Sequence, residues 1–351
     1  MKRSEIASKV SGFICTENIL AVLMMAAALI VPAFLSQYRV GIFSYFYTTV
    51  LLVLSISLIW GFAGIFSFGQ AAFFGIGGYT YGIIAKLAAN TAMTPIALLA
   101  GVALAAAVAA ILGYFMFYGG INDVFVGLIT MCFTIALSTF MGQTAGSQWK
   151  IGNVSLGGFN GLTKIPTLYF GSYKCSKTAF YYVTLIIVAA VFIALKVLKH
   201  TKVGYSLLAI RENRTRSELF GYNVPKIQVL VFTAGGAIAG LAGALYAAWG
   251  NYITPSNLNL DASTLVVVLV AAGGRKNATA AVLFTIIYSY IANQLSSSGS
   301  QFALIILGLM LILVVLFVPD GIISGVFDGI DALFKKLFGR KQAEPDKGEK
   351  I

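Results

Sequence analysis

Residues 95–118 read PIALLAGVALAAAVAAILGYFMFY. No charge interrupts this run, and as a helix it is about 36 Å long. That exceeds the roughly 30 Å hydrocarbon core of a bilayer. A transmembrane β-strand would alternate apolar and polar residues over about ten positions. This run does not alternate, so it reads as a spanning helix whose backbone bonds are satisfied internally. Similar runs lie at Ile19–Leu35, Val40–Trp60, Gly61–Leu87, Ile121–Met141, Ala179–Leu198, Val229–Trp249, Ala278–Leu295 and Phe302–Val318, with a shorter one at Thr264–Gly273. The fold class is therefore all-α: a polytopic transmembrane helical bundle of about ten segments.

Composition agrees. Of 351 residues, 59% are hydrophobic and only 10% charged, too few to cover a soluble core of this size. Mean hydropathy is +0.88. Disorder and a soluble two-domain enzyme are both excluded.

The net charge of +12 sets the orientation. The loop 199–228 holds Lys199, Lys202, Arg211, Arg214, Arg216 and Lys226 against Glu212 and Glu218. The tail carries Lys335, Lys336, Arg340, Lys341, Lys347 and Lys350, and the leader Lys2, Arg3 and Lys9. Basic segments stay cytoplasmic, so both termini and the 199–228 loop are placed there, with six spans before the loop and four after it. The polar stretch 142–178 then lies outside, despite Lys150, Lys164, Lys174 and Lys177.

Three regions follow: a cytoplasmic or interfacial segment 1–18, a membrane domain 19–323 and a cytoplasmic tail 324–351. Ile6, Val10 and Phe13 suit a surface helix. A cleaved signal peptide competes with that reading, but the leader and the following apolar run are both long for one. Phe327, Ile330, Phe334 and Leu337 suggest a second interfacial helix. Thr264–Gly273 is too short to cross alone and reads as a broken or half-length element, tolerated only inside protein or beside a water-filled cavity.

Two stretches are unusually rich in small residues. Gly61–Tyr79 holds six glycines with Ser67 and Gln70, and Gly235–Ala244 repeats Gly and Ala every few positions. Such faces let helices pack closely, and Gly-interrupted segments about half a chain apart can also mark a transport pathway. Ser67, Gly69, Gln70, Gly236, Gly240 and Gly243 are the pathway candidates. Simple packing is the competing reading for each glycine.

Charge within the spans is scarce. Asp123 either caps its helix or marks a buried site. Lys86 and Lys196 are expected to snorkel. The lack of a titratable relay argues against a proton-coupled pump. Cys15, Cys132 and Cys175 have no metal-ligand spacing, and His200 stands alone. No nucleophile motif, HExxH or phosphate-binding loop is present, so neither catalysis, a cofactor nor ATP binding is expected.

The loop 204–228 reads GYSLLAIRENRTRSELFGYNVPKIQ. It predicts one helix over about Ser206–Phe220, stopped by a left-handed Gly221, with Pro225 preventing resumption. A short amphipathic helix there suits docking into a groove of a soluble partner. A solvated basic loop is the plainer alternative.

Arg211-Glu212, Glu218-Leu-Phe-Gly221 and Tyr222-Asn-Val224 resemble the coupling segment of ABC-importer permeases for branched-chain amino acids, M-type. Val231–Tyr246 resembles the Gly/Ala-rich span after it. Gly61–Tyr81 resembles that family's G-x-A-G-x-x-S-x-G-x-A-A-F-F-G-I-G-A-Y-T stretch, and Gly158–Pro166 its external G-G-x-x-G-L-x-x-I-P loop. Gln70 stands where the family usually has His, and Gly273–Asn277 replaces a Gly-rich turn. The resemblance implies a prokaryotic cytoplasmic-membrane permease working by alternating access. Its implied partners are a second permease subunit, two cytoplasmic ATP-binding subunits, an extracytoplasmic substrate-binding protein and membrane lipid; no nucleic-acid partner is expected. Arg211, Glu212, Glu218 and Gly221 are the implied ATPase-coupling residues. Urea, simple sugars or nucleosides are the alternative cargoes, and a self-sufficient channel or carrier is the rival class.

Overall fold

The computed structural model describes residues 16–88, 91–146, 148–171, 173–299 and 302–317, with Gly321, Ile323 and Gly325. The expected surface helices in the leader and the tail lie outside the described residues.

The described chain is predominantly helical. Its main elements are α1 (Thr16–Phe34), α2 (Gln37–Ile56), α3 (Gln70–Leu87), α4 (Thr94–Tyr118), α5 (Asp123–Gln143), α6 (Lys177–Lys199), α7 (Lys202–Glu212), α8 (Arg214–Leu219), α9 (Val224–Gly250), α10 (Leu260–Gly273), α11 (Ala278–Ser297) and α12 (Ala303–Phe317). Among the described residues, seven helices are long and apolar enough to cross a membrane. The remaining apolar helices are α3, α10 and α12. They are less apolar, short, or both.

The bundle is built around α9, α4 and α3, with α2 packed between α9 and α6. Small residues make this possible. A side chain at Gly236 or Gly240 would collide with Ala109 or Ala105 of α4, and one at Gly243 with the Phe74 carbonyl of α3. A side chain at Gly77 would meet the backbone of Gly240. The two glycine-rich stretches, far apart in sequence, thus form one close helix–helix contact.

Polar pairs fasten the outer helices. Tyr47 and Tyr181 share a hydroxyl hydrogen bond of 2.8 Å, and Tyr181 donates to the Ala28 carbonyl at 2.6 Å. Lys196 does not simply snorkel: Nζ lies 3.1 Å from a Glu17 carboxylate oxygen and 2.7 Å from Asn18 Oδ1. Lys86 donates to the Thr163 carbonyl at 2.9 Å. Asp123 sits exposed in the first turn of α5, where its charge favours the helix N-terminus, and no side-chain hydrogen bond caps that end.

The segment 144–176 forms short hairpins, β1 (Lys150–Ile151) with β2 (Val154–Ser155) and β4 (Tyr169–Phe170) with β5 (Tyr173–Lys174). Between them β3 (Leu162–Thr163) pairs with β6 (Tyr252–Ile253), just past the end of α9. Asn251 turns the chain there with φ 59° and donates to the Ile165 carbonyl at 2.8 Å.

Three expectations are corrected. Gly61–Leu87 is not one continuous span: α2 ends in a π-turn (Ser57–Phe62), residues 63–69 are non-helical, and α3 begins at Gln70. The loop holds two helices, because Asn213 leaves the helical region (φ −159°, ψ 105°) and its side chain accepts from Arg216 N to start α8. Pro225 opens α9 within its first turn, a position where its missing N–H costs nothing.

Candidate functional site

The interruption before α3 is the most unusual backbone in the bundle. In residues 63–69, Ala63, Ile65, Ser67 and Gly69 are buried, while Phe66 and Phe68 are half-buried and pack edge-to-face at 4.9 Å. This alternation is that of an extended chain.

An extended segment inside a bundle must find hydrogen bonds elsewhere. Side chains from two helices supply them. Thr134 Oγ1 donates to the Phe68 carbonyl at 2.9 Å, and Ser263 Oγ donates to the same oxygen at 2.6 Å. Phe68 N–H donates to Thr130 Oγ1 at 3.1 Å, and Ala71 N–H to Ser263 Oγ at 3.3 Å. Gly69 N–H bonds to Ser67 Oγ at 3.1 Å. Counted along α5 from Asp123, Thr130 and Thr134 stand about 10 and 16 Å up the helix. The clamp is therefore near the middle of the bundle, not at its rim.

Ser67, Gly69 and Gln70 all belong to this knot. Ser55 Oγ donates to Gln70 Oε1 at 3.1 Å, while Gln70 Nε2, fully buried, has no hydrogen-bond partner among the described residues. Gly236, Gly240 and Gly243 are not in it; they are occupied by the helix contacts described above. Reading the sequence alone overlooks Ser55, Thr130, Thr134 and Ser263. A pair of threonines four apart on α5 was the available signal.

The loop 199–228 forms the second half of the site. Thr201 caps α7 by accepting from Gly204 N–H at 3.1 Å. Ser206, Leu207 and Ile210 are buried against the bundle. Gly221 is left-handed (φ +84°), its N–H reaching Glu218 O at 3.0 Å and that of Tyr222 reaching Ser217 O at 3.2 Å. This closes α8 as expected. Leu219 and Phe220, each 83% exposed, stand at the tip. Glu218 pairs with Arg214 at 3.2 Å. A groove of about 510 Å³ runs beside α7, lined by residues that include Val203, Tyr205, Tyr222 and Leu230.

Arg211 points the other way, into the bundle. Nη1 donates to the Gly61 carbonyl at 2.6 Å and Nη2 to Glu212 at 2.9 Å. That hydrogen bond holds the exposed Glu212 carboxyl below its ordinary range, with Lys276 and Arg275 acting in the same direction.

Residues 38–315 match the family described as branched-chain amino acid transport system, permease component. The match runs from α2 into α12 and includes the extended segment and the loop, while α1 lies before it. The chain belongs to this family. The permease is 22% identical over 341 residues to the high-affinity branched-chain amino acid transport system permease protein LivM of Escherichia coli strain K12, covering 90% of this chain and 76% of that one. LivM of Salmonella typhimurium is 22% identical over 340 residues, with the same coverage. The ribose import permease protein RbsC of Escherichia coli strain K12 is 27% identical over 235 residues, 63% of this chain and 68% of that one. No solved structure matches the permease. It is a multi-pass membrane transport subunit, and its transport system is of the branched-chain amino acid ABC-importer type.

Proposed function

We propose that the permease, paired with a second permease subunit, forms the passage for branched-chain amino acids in the cytoplasmic membrane of a prokaryote, driven by two ATP-binding subunits and supplied by an extracytoplasmic binding protein. The family match over residues 38–315 carries this reading.

Ten crossings with both termini cytoplasmic fit the connections. Gly61, Arg211 and Arg275 meet at one end of the bundle, and Lys86, Thr163 and Asn251 belong to the other. The domain boundaries 1–18, 19–323 and 324–351 accompany that topology, with 142–178 external and 199–228 cytoplasmic. Glu212, Glu218 and Gly221 shape the surface offered to an ATP-binding subunit, with Leu219 and Phe220 entering its groove in the manner of a helix-in-groove contact.

Ser67, Gly69 and Gln70 hold the extended segment whose Phe66 and Phe68 rings face the passage. Gly236, Gly240 and Gly243 shape that passage by setting how closely α9 approaches α3 and α4. An apolar passage of this kind discriminates one methylene by only about 1–3 kcal/mol, so cargo choice rests mainly with the binding protein.

The test is uptake of labelled leucine by proteoliposomes holding the full set of subunits. ATP-dependent uptake inhibited by isoleucine and valine, and unaffected by ribose, is expected. Uptake of ribose in place of leucine would move the cargo to sugars.

A further inference from the structure

We propose that Arg211 is a positioning residue that carries movement of the cytoplasmic loop to the extended segment 63–69, rather than one that meets the ATP-binding subunit. The proposal deepens the reading above and rests on it.

Arg211 belongs to the loop by sequence and to the bundle by contact. Its side chain is 20% exposed, against 71% for the adjacent Glu212. The carbonyl it grips, Gly61 O, lies in the π-turn where α2 gives out. The backbone donor that would normally serve it is diverted: Gly64 N–H keeps an ordinary helical bond to Trp60 O, but Ile65 N–H passes over Gly61 O to Ile59 O. A guanidinium is the strongest available donor to a carbonyl at a helix C-terminus, since charge and dipole both favour it. π-turns are also local weak points of a helix and concentrate at functional sites.

Two glycines remove slack from the joint. Gly64 has φ +75°, and a Cβ there would stand 2.7 Å from Arg211 Cγ and 3.3 Å from Arg211 Cβ. The arginine stem therefore rests directly on the start of the extended segment. On the other side, a side chain at Gly61 would strike the carbonyl oxygen of Arg275, in the turn between α10 and α11. The Arg275 guanidinium lies 5.9 Å from the Trp60 ring centre. The joint is thus gripped from α7 and backed by the α10–α11 turn.

The far end of the segment is fixed by Thr130, Thr134 and Ser263 at Phe68. Only residues 62–67 separate the gripped Gly61 from the clamped Phe68. An extended chain has little length to spare, so a shift of α7 reaches Phe66 and Phe68 rather than being absorbed. Leu219, Phe220 and Glu218 receive the push, and Arg211 delivers it.

The experiment compares Arg211→Ala, Arg211→Lys and Gly64→Ala with wild type in the assembled transporter, reconstituted with labelled leucine and ATP. Two quantities are read: the ATP-binding subunit that co-purifies with the permease, and leucine moved per ATP hydrolysed. Arg211→Ala is expected to keep its ATP-binding subunits but to lose about tenfold or more in leucine per ATP. Lys at this position, which keeps one charged donor, restores part of the ratio. Gly64→Ala, half-buried behind the loop, reproduces the same split and carries the test if Arg211→Ala fails to insert. Wild-type leucine per ATP in Arg211→Ala and Gly64→Ala overturns the proposal. So does loss of the co-purified subunit in step with uptake, which makes Arg211 a docking contact. Failure of the wild-type assembly to transport leucine contradicts the functional reading instead.

Discussion

At the residue scale, one detail of the loop and one of the first helix make separate claims. Gly221 has open space around the position of a side chain, so its only obligation is its left-handed backbone. Gly221→Val incurs that conformational penalty, at least about 1–2 kcal/mol for a β-branched residue, with no neighbour against its Cβ. Less ATP-binding subunit should co-purify with it, while membrane insertion is unchanged. Equal recovery would remove Gly221 from the docking surface. Lys196 and Glu17 are both about three-quarters buried and tie α1 to α6. Lys196→Met leaves Glu17 without its cation and should cost roughly 1.5–3 kcal/mol, read as a lower unfolding temperature in detergent. Adding Glu17→Gln should recover most of the loss, because the penalty is that of a stranded charge. If the double variant is no better than the single one, the pair is not what holds α1.

At the scale of elements, the extended segment and its clamp matter most. Ser263 both donates to Phe68 O and accepts from Ala71 N–H. Ser263→Ala strands the buried amide, at about 1–3 kcal/mol, and loosens one side of the segment. Uptake should fall while the subunits remain assembled. Thr134→Val should act in the same direction more weakly, since Ser263 still serves the shared carbonyl. Wild-type uptake in both would show that the clamp is not needed for transport. The sequence makes the helices on either side of this segment legible, because continuous apolar runs of spanning length allow little else. It hides the break. GIFSFG (64–69) is as apolar as a helix, and its period of two lasts too few residues to stand out. The clamp is hidden for a different reason. Thr130 and Thr134 also bond back to carbonyls of their own helix, Val126 and Thr130, as ordinary helical threonines do. Ser263 lies 195 positions from the carbonyl it holds. Gly221 was readable because its backbone requirement is local, whereas the inward turn of Arg211 depends on where α2 ends.

At the scale of the whole molecule, the 144–176 segment and the 199–228 loop make topology testable. Phe159, in the 144–176 segment, and Phe220, at the tip of the loop, are 80% and 83% exposed. In a background without other cysteines, Phe159→Cys should react with a membrane-impermeant maleimide in intact cells, and Phe220→Cys only after the membrane is opened. The opposite pattern would invert the orientation. The proposed function divides force and passage between chains: on that reading the permease holds the route and the loop, and partner subunits supply hydrolysis through the loop. The most direct measurement is labelled-leucine uptake into liposomes containing the permease alone or with its second permease subunit, ATP-binding subunits and binding protein. Uptake only in the complete assembly, and only with ATP, is the expected result. Leucine accumulation by the permease alone, without ATP, would contradict it.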